Sequence, residues 1–328
     1  MNVSAKAISG IVAGILFIFY IIGVYWSFEP NEFDIKALVT EQATKENVAP
    51  VVGYTTTTAL IKVTETLLDK PGGYLSNDAL PPSVFLDNIP SWEFGVLEMS
   101  RDMALIMRKE FSRSQSQSVE NQYLKSAQPS LNIDHTSWAM PSAESEYKKA
   151  IKELYLYRQA LADSANQSAQ FYARADNLTD WLKEVEKRLG SYSQRLSASV
   201  GRDQLNTDLA GDANAQQSTS TASHIEMKTS WWQIDNEFYE ARGACWALLH
   251  FLKAVEIDFA DVLADKNATV SLQQIIRELE ASQQAVWSPM ILNGDGFGLL
   301  ANHSLVMANY ISRANAALID LNKLLSQG

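Results

Sequence analysis

Residues 229–263 read TSWWQIDNEFYEARGACWALLHFLKAVEIDFADVL, and their spacing decides the fold class. Trp232, Phe238, Cys245, Leu249, Leu252, Phe259 and Val262 recur close to one helical face, so this stretch is expected to be the central helix of a bundle. The same periodicity extends outward in both directions. Downstream, shorter helices are expected at about 271–286 and 302–325. Upstream, Asn177 is read as the cap of a helix with the stripe Leu178, Trp181, Leu182, Val185, Leu189, Tyr192 and Leu196. Ser142 is read as the cap of another, carrying Tyr147, Ile151, Leu154, Tyr157, Leu161, Ala165 and Ser168. Further helices are expected over 92–111, with Val96, Met99, Met103, Ile106 and Met107 on one side, and along Thr56, Leu60, Val63 and Leu67, ending before Pro71-Gly72-Gly73. Only Ser83-Val84-Phe85-Leu86 looks extended. Residues 212–223, DANAQQSTSTAS, hold no large apolar side chain and are expected to form a mobile polar loop. The fold class is therefore all-α, a large multi-helix bundle.

Composition narrows the function classes. The 328 residues include 27 basic and 38 acidic side chains, a net charge of −11, and no basic tract, which argues against nucleic acid as the partner. A single cysteine excludes an internal disulfide framework and any Cys-cluster metal site. Twelve Tyr, twelve Phe and eight Trp supply bulky material for a core.

A second long apolar stretch lies at the N-terminus. Residues 7–28, AISGIVAGILFIFYIIGVYWSF, contain no charge, and as a helix they reach about 33 Å, enough for a hydrocarbon core of about 30 Å. Tyr20, Tyr25 and Trp26 gather at the later end, where amphipathic rings favour the membrane interface. Tyr25-Trp26-Ser27-Phe28-Glu29-Pro30 is a poor cleavage site, so the segment reads as an uncleaved signal anchor. The expected organisation is a short cytoplasmic tail and anchor over 1–28, followed by an ectodomain over 29–328 outside the cytoplasm. Gly10 and Gly14 form a G-x-x-x-G that would let two anchors approach, a weak pointer to a homo-oligomer.

Each chemistry-bearing candidate in the sequence also has a plainer role. Asn293-Gly294-Asp295-Gly296-Phe297-Gly298 lacks both a preceding strand and a closing Gly-Lys-Ser/Thr, so it reads as a turn. Glu237 with Glu240, and Asp258 with Asp261, stand one turn apart around His250, but no Glu-x-x-His exists to build a di-metal site. These carboxylates read as a solvated face, His250 as a hydrogen-bonded core residue and Cys245 as a buried small hydrophobe. No cofactor and no catalytic residue is assigned. The segment from Pro71 to Trp92 is too long for an ordinary helix–helix link, so Gly72, Gly73, Asp78, Asp87, Asn88 and Trp92 are taken as a candidate recognition surface on an ordered connector.

The phrases Pro71-Gly-Gly-Tyr-Leu-Ser-Asn-Asp78, Leu86-Asp-Asn-Ile-Pro-Ser-Trp-Glu-Phe-Gly95 and Arg101-Asp102 resemble a family of unknown function. The resemblance extends over most of the chain and implies a single-pass envelope protein of gammaproteobacteria set in a Gram-negative inner membrane. It implies no activity. The expected function is a non-catalytic, membrane-anchored periplasmic protein acting through contacts with an unknown envelope protein. One alternative is a cell-wall or lipid-acting enzyme using carboxylates near the connector. Another is a ligand-sensing ectodomain, for which the short tail before the apolar run leaves no intracellular output domain.

Overall fold

The computed structural model describes residues 5–114, 119–163, 165, 168–205, 224–288, 290–295 and 297–327. The expected polar loop at 212–223 lies outside them. Eleven α-helices are described: α1 (Ala5–Trp26), α2 (Ile35–Glu46), α3 (Tyr54–Asp69), α4 (Asn88–Ile106), α5 (Gln122–Leu131), α6 (Ala143–Ala162), α7 (Ala175–Ser197), α8 (Ile234–Asp258), α9 (Ala260–Asp265), α10 (Thr269–Ser282) and α11 (His303–Ser326). The fold is all-α, with one antiparallel ribbon between α7 and α8, β1 (Arg202–Leu205) and β2 (His224–Met227), in which Arg202 faces Met227.

Local chemistry corrects several boundaries. Ser83–Phe85 is a 3-10 turn rather than extended chain, because the Phe85 and Leu86 amides return to the carbonyls of Pro82 and Ser83. Helix α4 starts at Asn88, not Trp92: Pro90 falls in the first turn, where a missing N–H costs nothing, and Ser91 lies inside the helix. Asn177 does not cap α7, which begins at Ala175. Its amide instead donates to the carbonyls of Glu110 and Tyr172. Trp232 leaves the central stripe and is 78% exposed, in the 3-10 turn Trp231–Gln233 that precedes α8. The central helix also ends earlier than its periodicity suggests, at Asp258, with α9 continuing after Phe259. Ser142 does cap α6.

The bundle is built on α4 and α8. A Cβ on Gly95 would stand 1.9 Å from the Glu240 carbonyl oxygen, and one on Gly243 2.1 Å from that of Trp92, so the two backbones touch. The helices run parallel: Trp92 meets Trp246 at 5.2 Å between ring centroids, and Phe111 meets Phe259 at the same separation further along. Helix α7 runs the opposite way, with Arg188 on Asp102 and Arg195 on Glu240. Helix α11 is antiparallel to α7 (Ser193 to Ser312, Asn322 to Glu186), and α10 meets it through Glu278 and Arg313. Helices α3 and α6 are likewise antiparallel, joined by Glu65–Tyr155 and Thr58–Arg158. One contiguous buried core runs from Ile35 to Leu325.

These directions give the bundle two unlike ends. The near end collects the C-termini of α3, α7 and α10 and the N-termini of α4, α6, α8 and α11. Helix α1 arrives there: a Cβ on Gly23 would lie 3.6 Å from Leu86 and 3.9 Å from Pro82, and Trp26 lies over Gly72. Helix α1 is long and apolar enough to cross a membrane, and only 6% of its span is buried.

Because the α4–α8 contact leaves no room for a side chain, Gly95→Ala or Gly243→Ala is expected to cost about 3 kcal/mol in urea unfolding. An unchanged midpoint would contradict the contact.

Candidate functional site

The connector between α3 and α4 is an ordered plate at the near end. After Asp69 the chain reverses through Gly72 and Gly73, whose φ values of +84° and +72° exclude an ordinary side chain without strain. A buried ion pair holds the reversal. The Lys70 ammonium lies 2.6 Å from Glu93 of α4, with both side chains fully buried, and donates to the Gly73 carbonyl. The Glu93 carboxylate also accepts the Leu75 amide at 2.9 Å, the Ser76 amide at 2.8 Å and the Ser76 hydroxyl. Burial pushes the Glu93 pKa up, and Lys70 and Ser76 pull against that rise. Tyr74 packs edge-on against Tyr147 of α6 and donates to the His135 carbonyl, while Asn77 donates to the Ser137 carbonyl and to Glu144.

The six candidate surface residues separate in this frame. Gly72 is exposed but faces the Trp26 ring, and Gly73 is half-buried. Asp78 and Asp87 are exposed, and Asn88 is half-buried at the start of α4. Trp92 is fully buried against Trp246 and Gly243, so it belongs to the core and cannot present an outer surface. Asp87 stands on a cleft of about 400 Å³ with Trp231, Trp232, Asp235, Met290 and Leu300. Burial, and then the charge of Asp87, raise the pKa of Asp235. Sequence reasoning missed Lys70 and Glu93. Their signal was a charged residue inside the otherwise apolar Trp92-Glu93-Phe94-Gly95.

A strap over residues 27–34 ties α1 to α8. Arg242 is almost fully buried, and its Nε donates to both oxygens of Glu29, at 2.8 and 2.7 Å. Its remaining nitrogens donate to the carbonyls of Ser282, Gln283 and Gln284, which the end of α10 leaves without helical partners. Lys253 bridges Glu32 and Glu280. The Phe33 ring stacks on His250 at 3.9 Å, the Phe33 amide donates to His250 Nε2 at 3.1 Å, and His250 Nδ1 lies 2.7 Å from the Trp246 carbonyl. Only the neutral tautomer with the proton on Nδ1 satisfies both bonds. Burial accordingly lowers the His250 pKa to about 4.

The acidic pairs on the central helix are not simply a solvated face. Glu237 and Glu240 are half-buried on Arg195, and Asp261 is exposed. Asp258 is buried, accepting the Thr56 amide and hydroxyl at 2.7 Å each. The physical reason is α3: its N-cap is Gly53, which has no side chain, so Asp258 from α8 supplies the missing acceptor. Cys245 is fully buried, with its thiol pushed up to about 12. Asp295 spends its carboxylate on the amides of Phe297 and Gly298 within the glycine-rich turn. Among the described residues, no three His, Cys, Asp or Glu side chains are placed to hold a metal ion.

Two stability measurements probe this framework. Lys70→Met leaves Glu93 buried and unpaired and should cost about 3 kcal/mol near neutral pH. Without its partner Glu93 has a still higher folded pKa, so that penalty should shrink in acid, below the unfolded carboxylate value, and return as pH rises. A pH-independent penalty would contradict the pairing. His250 works in the opposite sense. Its folded pKa of about 4 lies below the unfolded 6.5, so the stability it contributes is complete above 6.5 and lost as pH falls toward 4. Wild type should therefore lose up to about 3 kcal/mol more than His250→Asn across that window. Equal pH profiles would show that His250 is not held neutral.

No curated protein and no solved structure matches the chain. A family model does match, over residues 2–328, and carries the description of an uncharacterised protein conserved in bacteria, DUF2333. With nearly the whole chain inside that match, the protein belongs to the DUF2333 family.

Proposed function

We propose that the protein is a single-pass inner-membrane protein of Gram-negative bacteria, with its N-terminus in the cytoplasm and its helical bundle in the periplasm. Its role there is to hold an envelope protein through protein–protein contacts, without chemistry of its own. The observation that carries this reading is the exposure of α1. A 22-residue helix with Phe17, Ile18 and Tyr20 each more than half exposed has no place in water, and the rest of the chain closes its own core without it. The positive charge of Lys6, at the N-terminal edge of the span, favours an N-in orientation. Of the connector carboxylates, Glu93 is saturated with donors, which leaves Asp78 and Asp87 facing solvent for partner contact.

One observation favours an enzyme as the second reading. Asp87 and Asp235 share a cleft, and Asp235 has a raised pKa, the pattern of a carboxylate pair in acid–base work.

Alkaline phosphatase fused after Gly328 should be active, and a cytoplasm-only reporter at the same position dark; the reverse would refute the orientation. Asp78→Ala and Asp87→Ala should each change stability by no more than about 0.5 kcal/mol. Both should weaken partner recovery in crosslinked cells. Undiminished recovery in both variants would remove the connector as the contact surface. A deletion phenotype reproduced by Asp235→Asn with partner recovery intact would favour the enzyme.

A further inference from the structure

Exposed aromatic side chains are distributed very unevenly over this molecule. Among the described residues outside α1 and the strap, six are exposed: Phe85, Trp138, Trp231, Trp232, Trp287 and Phe297. All six sit on the loops of the near end. Phe85 is in the connector that packs on Gly23. Trp138 lies in the loop before α6, which Asn77 and Tyr74 bind to that connector. Trp231 and Trp232 precede α8, and Trp287 and Phe297 lie between α10 and α11, on the segment that lines clefts with Phe28 and with Asp87. The opposite end exposes Val51, Val52, Val119 and Val270 and, among the described residues, no aromatic ring.

The geometry points to a membrane-docking face. The near end of the bundle rests on the lipid surface around the foot of α1, with these six rings at the depth of the headgroups and upper acyl chains. This rests on the reading of α1 as a membrane span. Three observations select lipid as the occupant. The face is continuous with α1, since Gly23 and Trp26 touch Leu86, Pro82 and Gly72, so a bilayer crossed by α1 begins where these loops are. Four of the rings are Trp, which favours the interface, where an apolar body and a polar N–H are both served. Trp287 and Phe297 are essentially fully exposed, against the buried Trp92, Trp181 and Trp246 of the core. Asp78, Asp87, Asp235 and Asp295 occupy the same end, so the attraction comes from ring burial and not from anionic headgroups. The bundle therefore stands upright on the bilayer, its valine-bearing end directed away, and the Asp87–Asp235 cleft opens at the lipid surface, so that a partner reaching Asp78 and Asp87 does so along the membrane.

Tryptophan quenching by brominated lipid tests this on the full chain. The protein carries Trp26→Phe, which removes the ring at the foot of the anchor, and is reconstituted into phosphatidylcholine vesicles with or without bromine on the acyl chains. The expected result is loss of emission from the four exposed tryptophans in brominated vesicles and retention of emission from the three buried ones. The loss should be insensitive to salt and should disappear when Trp138, Trp231, Trp232 and Trp287 are all replaced by Gln. Because these rings are exposed, the fourfold variant should keep its helical circular dichroism. Equal emission in the two lipids overturns the proposal, as does quenching that survives the fourfold substitution. Contact between two copies through the same rings would give no bromine dependence and would also overturn it. Co-flotation of the chain with vesicles after carbonate washing reports the α1 span separately. A chain that floats but is not quenched refutes the docking face alone, and a chain that does not float refutes the anchor.

Discussion

Gly95 and Gly243 allow α4 and α8 to meet backbone on backbone, and the rest of the molecule is arranged around that contact. A contact this close fixes how the two parallel helices lie on each other, with Trp92 near the start of α4 on Trp246 of α8 and Phe111 on Phe259 just beyond their C-termini. Every neighbour then packs against a fixed pair. Parallel α4 and α8 bring their N-termini together, and the antiparallel α3, α7 and α10 return their C-termini to the same place. Helix α1, the connector and the aromatic loops meet at one end for this reason.

Buried charge does the fastening. Lys70 with Glu93 fixes the connector, Arg242 with Glu29 fixes the strap, and Asp258 completes the N-terminus of α3. In each case the charged group is surrounded by partners that use its hydrogen-bonding capacity, as burial demands. Such pairs add little net stability over apolar packing, but they tolerate few alternative arrangements. Two of the three lie at the end of the bundle where α1 arrives, one on the strap that follows α1 and one beneath the connector that Gly23 and Trp26 touch.

Much of this was legible in the residues. The α3, α6, α7 and α8 stripes are regular enough that Leu60, Tyr147, Leu182 and Leu249 could be assigned to a core from spacing, and each is buried. The short helices α2 and α5 escaped because ten or twelve residues with mixed polarity carry no clear period. Trp92 and Trp232 were exchanged. Both are aromatic residues near a helix start, and only the packing of α4 on α8 makes one core and the other surface. Asp258 was placed on a solvated face because helical periodicity sees its own helix and cannot see the uncapped end of α3 beside it.

By itself, the sequence determined the helical class, the apolar run of α1, the single inert cysteine and the unusual length of the connector. Each of these is a property of composition or of short-range spacing, and hydrophobic period and chain length act locally. Which polar residues are buried, which tryptophans face outward and which loops share an end were decided only by the tertiary structure. Those depend on pairing between segments far apart in the chain, such as Glu29 with Arg242 or Thr56 with Asp258, and a buried charge takes its partner from whatever element the fold brings alongside it.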